Sequence, residues 1–309
     1  MTGSHNQDDA ITPDPERLEV VSALLAHIEF TVLQKALLPK LATGTLGVQS
    51  SDFSLAQDNE LGLRRRRETK TMKPKKAPVL VEDDVTNLVA LILDGSFEAV
   101  CAQVDEYIAF GHQVGDLILS LFSPAAVVLG QRWDDDDLSF SEVTLGMATL
   151  HSVLHRFSDR LNNEIKPKIA GGTMMIAPYP GENHLFGAAI VEEFMRADGW
   201  DVGIVMAESG ASLVRKVRER HYDIVGLSLA HESQLSAMRQ LIVSIRASSL
   251  NKRLAIVIGG PLVQSNPKLV ETLPVEGIAL DARQALSLTR DLFKRMPRDE
   301  TELPGETNE

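Results

Sequence analysis

The chain has 309 residues, 44% of them hydrophobic, and a net charge of −12, which allows two domains with extensions and excludes general adhesion of the whole chain to nucleic acid. Its single cysteine, Cys101, excludes an internal disulfide and fits a reducing cytosol. No uninterrupted apolar run approaches the roughly eighteen residues of a membrane span, and the polar, acidic residues 1–9 do not resemble a signal peptide; a cytoplasmic protein without membrane contact is expected.

Residues 1–82 read as an N-terminal extension. Residues 1–13 are polar and expected to be disordered. Asp14-Pro15-Glu16 is a helix start, with a capping aspartate, proline at the first position and an acidic first turn. Leu18, Val21, Leu24, Leu25, Ile28, Val32 and Ala36 recur at helical spacing until Pro39. That stripe either packs on the rest of the protein or serves a partner or a second copy. Residues 42–61 have linker composition. Arg64, Arg65, Arg66 and Arg67, then Lys70, Lys73, Lys75 and Lys76, make the one dense positive run in an acidic chain. With Pro74 and Pro78 against a helix, the run is either a solvated linker or a basic arm for DNA phosphates or an acidic partner. Phosphate contacts of that kind add affinity without reading bases.

Residues 83–165 follow a helical period. The spacing predicts helices at about 84–93, 96–109, 115–131 and 140–163, with turns at Asp94-Gly95 and Phe110-Gly111-His112. Helices joined by short loops form an antiparallel bundle. Trp133 closes the third helix, and Val143, Met147, Leu150, Val153 and Leu154 line one side of the fourth. His151 and His155 stand one turn apart, a spacing that could bind metal but that also suits partly exposed bundle histidines. His112 reads as a turn residue.

From Gly172 the rhythm becomes strand, loop, helix. Strands are expected at 174–177, 202–206, 224–228, 254–258 and 277–280, and helices at 187–197, 211–219, 233–247, 267–272 and 281–295. Near-continuous apolar strands suit a parallel sheet covered on both faces. Residues 170–296 therefore read as a five-stranded, flavodoxin-like (Rossmann-like) α/β domain, and the polar residues 297–309 as a tail. Such folds bind ligands at the carboxyl ends of their strands. The first of those loops is Pro178-Tyr179-Pro180-Gly181-Glu182-Asn183-His184-Leu185-Phe186-Gly187. Glu182 stands close enough to His184 to engage one ring nitrogen, which fixes the tautomer and raises the basicity of the other.

Glu182-x-His184-x-x-Gly187 resembles the D/E-x-H-x-x-G signature of cobalamin-binding domains of the methionine-synthase and light-sensing type. Ser228 at the end of a later strand, Gly259-Gly260 at the end of the next, and Trp133 in the helical region fall at similar spacing. The resemblance covers roughly residues 85–295 and implies a four-helix cap over a cobalamin-binding sheet domain. It implies that the nucleotide tail leaves cobalt and that His184 replaces it from below, with Glu182 behind it and Asn183, Leu185, Phe186 and Gly187 completing the loop. Ser228 and Leu229 would contact the tail, Gly259 and Gly260 would give it room, and Trp133 would shield the upper face. Many family members have aspartate where Glu182 stands. The pattern S-x-L reads Ser228-Leu229-Ala230 here, which widens that wall of the slot. The light-sensing repressors carry Glu-His about ten residues after the tryptophan, whereas Glu142 is followed by Val143-Thr144. The segment from Trp133 to Leu150 instead resembles the cobalamin-dependent antirepressors of purple photosynthetic bacteria, the AerR/PpaA group.

That resemblance implies a regulator and not an enzyme: a sensor loaded with hydroxo-, adenosyl- or methylcobalamin that responds to light, binds a transcriptional repressor of photosynthesis genes and relieves repression, with DNA as a further contact. A corrinoid carrier of a methyltransferase system and a haem-binding redox sensor of the same fold are the alternatives. His231, opening a helix on the ligand side, is a further candidate near the site.

Overall fold

The computed structural model describes residues 77, 79–169, 171–182 and 184–296. The helix expected before Pro39, the linker, the basic run with Arg64, Arg65, Arg66, Arg67, Lys73, Lys75 and Lys76, Asn183, and the 297–309 tail lie outside the described residues.

The helical part comprises α1 (Glu82–Leu93), α2 (Phe97–Ala109), α3 (Val114–Asp134), α4 (Phe140–Arg156) and α5 (Ser158–Glu164). Side-chain caps set several starts. The Ser96 hydroxyl accepts from Ala99 N at 3.2 Å, and Ser139 and Glu142 form a reciprocal capping box. The helix expected to run over 140–163 breaks at Phe157, whose ring is fully buried. That turn swings α5 back, so that the Glu164 carboxylate accepts from Val114 N at 2.6 Å and Gly115 N at 3.0 Å and caps α3 from across the fold.

Taken by length and composition, α3 could cross a membrane. Asp116, Ser120, Ser123 and Gln131 interrupt it, so no unbroken apolar run marks it in the sequence. Here it packs on α1 and α4 and buries Leu117, Ile118, Leu121, Phe122, Ala125 and Leu129 completely, the pattern of a bundle's core helix.

Among the described residues the five strands are β1 (Thr173–Pro178), β2 (Asp201–Ile204), β3 (Ile224–Ser228), β4 (Ala255–Gly259) and β5 (Gly277–Ile278), all parallel in the order β2-β1-β3-β4-β5. Strands β2 and β5 are shorter than expected. Parallel pairing demands crossover helices: α6 (Phe186–Ala197), α7 (Gly210–Glu219), α8 (Leu235–Ser248), the short α9 (Pro261–Ser265) and α10 (Pro267–Val270), and α11 (Ala282–Arg295). The helix α9 was not expected.

The side-chain period of two divides the sheet between two cores. Met174, Ile176, Ile224, Ala255 and Val257 face α6, α11 and the bundle. Met175, Ala177, Val225, Leu227, Ile256 and Ile258 face α7, α8 and the short helices. The bundle and one face of the sheet therefore share a continuous core, with α3, α4 and α5 packed directly on α6. The loop leading into α6 is the histidine-bearing one, so the bundle rests on the helix that this loop begins.

Candidate functional site

Strand β1 ends at Pro178, and the chain turns at once. Tyr179-Pro180-Gly181-Glu182 closes with Glu182 N donating to Tyr179 O at 2.9 Å. Proline at the second position and Gly181 at φ 84° in the third make this a type II turn. The turn folds Glu182 back under the loop, where its side chain is 9% exposed, while that of His184 is 77% exposed. One carboxylate oxygen, Oε1, accepts from His184 N at 3.1 Å and also grips the ring at Nδ1. A buried carboxylate thus orients an outward imidazole and makes Nδ1 the protonated nitrogen. An imidazole held in this way is a strong metal donor through Nε2.

The strand register gathers the other expected residues. Pro178 pairs with Ser228, and Ser228 with Gly259, so β1, β3 and β4 end in one row at the sheet's carboxyl edge. Tyr179 N donates to Ser228 O at 3.0 Å, which ties the histidine loop to that row. Gly260 does more than leave space. Gly260 has φ 104° and ψ 179°, and a Cβ there would stand 2.5 Å from Ser228 Oγ and 2.7 Å from Leu229 N. The chain itself uses the missing side chain, to bring two strand ends together. Leu229 is fully buried in the core on the far sheet face, so only its backbone borders the row, where Leu229 N donates to Gly259 O and Leu229 O accepts from Leu262 N, both at 3.0 Å. Gly187, in the first turn of α6, differs: a Cβ there would meet none of the described residues within 4 Å.

The bundle reaches the same neighbourhood through one aromatic contact. Phe186 is buried, and His151 of α4 meets it edge-on, with ring centroids 5.0 Å apart. His151 is half-buried as a residue, but its Nε2 is shielded from solvent and has no hydrogen-bond partner among the described residues. Burial alone pushes its pKa from 6.5 down to about 4, so the ring is neutral. Sequence reasoning made it a partly exposed bundle histidine, and its packing against the loop was not read. The available signal was its place four residues after Met147, along a half-buried line of α4.

Trp133 sits in the last turn of α3, half-buried against the bundle core. Glu142 is engaged in the Ser139 capping box, whose hydrogen bonds hold its carboxyl below the usual range. His155 is exposed. His112 is not an open turn residue: it is buried and edge-on to Tyr107, with centroids 5.7 Å apart. His231 is exposed at the end of the β3 loop. There the Gln234 side chain, which the sequence did not single out, accepts from Ala230 N and His231 N, each at 3.1 Å.

Residues 172–287 match the B12 binding domain family. Over 184 residues the chain is 26% identical to an uncharacterized 20.5 kDa protein in the bchF-crtJ intergenic region of Rhodobacter capsulatus, covering 59% of this chain and 95% of that protein. Among solved structures, the monomethylamine corrinoid protein of Methanosarcina barkeri superposes with a TM-score of 0.55 at 14% identity, covering 68% of this chain and 99% of that one. A cobalamin-binding protein from Desulfitobacterium hafniense aligns over 68% of this chain and 98% of its own, at 20% identity and a TM-score of 0.38. An exposed imidazole with a committed Nδ1, clearance at Gly187 among the described residues and a row of strand ends beside it are what a corrinoid with its own metal would need. Residues 172–287 resemble a B12 binding domain over the sheet and its helices, and the group this chain binds is cobalamin.

Proposed function

We propose that this protein is a cobalamin-dependent, light-responsive transcriptional regulator of the cytoplasm, which binds a repressor of photosynthesis genes and relieves repression without catalytic turnover of its own. The observation that carries the reading is the buried Glu182 carboxylate holding the exposed His184 imidazole at the sheet's carboxyl edge. Similarity to a protein of the bchF-crtJ intergenic region supports placing the chain with the photosynthesis-gene-associated group.

Bound cobalamin would supply a light-sensitive cobalt–carbon bond. His184 Nε2 would ligate the cobalt, with Glu182 keeping the proton on Nδ1. The row of Ser228, Gly259 and Gly260 would receive the nucleotide tail, and Trp133 would shield the corrin. The Phe186–His151 contact joins the loop to the bundle, so a change at the cofactor would bias how α4 sits on α6. A ligand state can bias that equilibrium only through its different affinity for the two arrangements. The basic run from Arg64 to Lys76 would add non-specific phosphate contact to a repressor–DNA complex.

The test is a visible spectrum of the cobalamin-loaded protein before and after illumination, with a repressor pull-down in both states. A light-induced spectral change accompanied by changed capture supports the reading; equal capture in dark and light sinks it. A corrinoid carrier would instead transfer a methyl group from the reduced cofactor, so methyl-transfer activity with a methyltransferase would favour that alternative. The same spectrum separates corrinoid from haem.

A further inference from the structure

His151 Nε2 is shielded from solvent without a hydrogen-bond partner among the described residues, and a native protein rarely strands such an atom without a reason. The location narrows that reason. His151 lies on the half-buried side of α4 with Thr144, Met147 and Ala148, and not among the fully buried Leu150, Val153 and Leu154 that hold the bundle together. Its one aromatic neighbour, Phe186, opens α6 two residues after His184. The stranded nitrogen is therefore at the seam between the bundle and the helix that begins at the cofactor loop. An apolar residue there would keep the Phe186 contact without stranding a nitrogen, so the imidazole at this seam points to a use of its nitrogen in another state. Cobalamin is fringed with primary amides, each able to donate to or accept from a neutral imidazole.

We propose that His151 is a cofactor-contacting residue, whose Nε2 gains its missing hydrogen bond from an amide of the bound cobalamin's periphery as α4 shifts on Phe186. The exchange makes the bundle register whether the site is loaded. This inference rests on the cofactor loop lying where the proposed function puts it.

The experiment uses the full chain and cyanocobalamin or hydroxocobalamin as the probe. His151→Phe keeps an aromatic ring against Phe186 and removes the nitrogen; His151→Gln restores a hydrogen-bonding side chain. The expected results are apo stability of H151F equal to or above wild type, affinity for cobalamin weakened about 5- to 100-fold, and partial recovery in H151Q. In wild type, the ¹⁵N resonance of His151 Nε2 should move on loading, a measurement that does not depend on any variant folding. Affinity of H151F within twofold of wild type together with an unmoved resonance would overturn the proposal, as would a spectrum showing His151 itself on cobalt. Wild-type protein that binds no cobalamin would overturn both this inference and the proposed function. Tight binding by H184A as well as wild type would remove only the lower-ligand assignment.

Discussion

Substituting Gly260 tests how the strand ends are built. At φ 104° and ψ 179° the backbone occupies a region that side chains essentially avoid, at a cost on the order of 1–3 kcal/mol. The new methyl would stand 2.5 Å from Ser228 Oγ, 2.7 Å from Leu229 N and 2.8 Å from Leu229 O. The serine could rotate, but the Leu229 backbone is fixed on both sides by its bonds to Gly259 O and Leu262 N, each 3.0 Å. Forcing atoms into so close a contact costs roughly another 1–3 kcal/mol. Gly260→Ala should therefore destabilise the apoprotein by about 4 kcal/mol, and lower Tm by about 10 °C for a unit of this size. Gly259→Ala is the control. Its Cβ would approach only Ala279 O, at 3.3 Å, and should cost about 1 kcal/mol or less. Urea unfolding followed by circular dichroism measures both. Because the methyl at 260 displaces Ser228, cobalamin affinity should also fall further in G260A than in G259A. Equal stability of G260A and wild type would refute the packing argument and the close approach of β3 and β4 on which it rests.

Gly187→Ala should do the reverse. In a helical turn its Cβ would meet none of the described residues within 4 Å, so the apoprotein should gain up to about 1 kcal/mol, while cobalamin binding weakens because the methyl occupies the approach to the loop; unchanged binding would show that this space is not used. Glu182→Ala should weaken cobalamin about 10- to 100-fold, as removal of a partner behind a ligating histidine does, and a titration of visible absorbance reads it. Acid should destabilise the apoprotein through His151. Its pKa is 6.5 in the unfolded chain and about 4 in the fold, so over that interval the unfolded chain holds a proton that the native protein does not. Stability is full above pH 6.5 and falls by about 3 kcal/mol as pH drops toward 4. The urea midpoint of H151F should show that much less acid dependence than wild type; parallel curves would show that His151 is not held neutral by burial.

The sheet and the loop were legible because their signals are local. Five apolar runs spaced by helical periods give a parallel sheet, and the stretch from Pro178 to Gly187 between the first run and its helix marks the histidine loop. Ser228 and Gly259 could be paired with the loop because the family pattern spaces them, and the register then puts them in one row with Pro178. What could not be read depends on tertiary contact. The helical period runs through Phe157 unbroken, and only the burial of its ring and the use of Glu164 to cap α3 explain why the helix ends there. Glycines at 259 and 260 look alike in sequence, yet only one has its missing side chain filled by a neighbouring strand end. His112 and His151 both sit at the margins of apolar stripes, where spacing alone cannot say whether an imidazole meets water or an aromatic ring.

The most direct measurement is the visible spectrum of cobalamin bound to wild type and to His184→Ala. The account predicts that wild type holds the cofactor with its own nucleotide off the metal and a protein imidazole on it. H184A should lose that spectrum and most of its affinity. A wild-type spectrum with the native nucleotide still on cobalt, or an H184A spectrum identical to wild type, would contradict it.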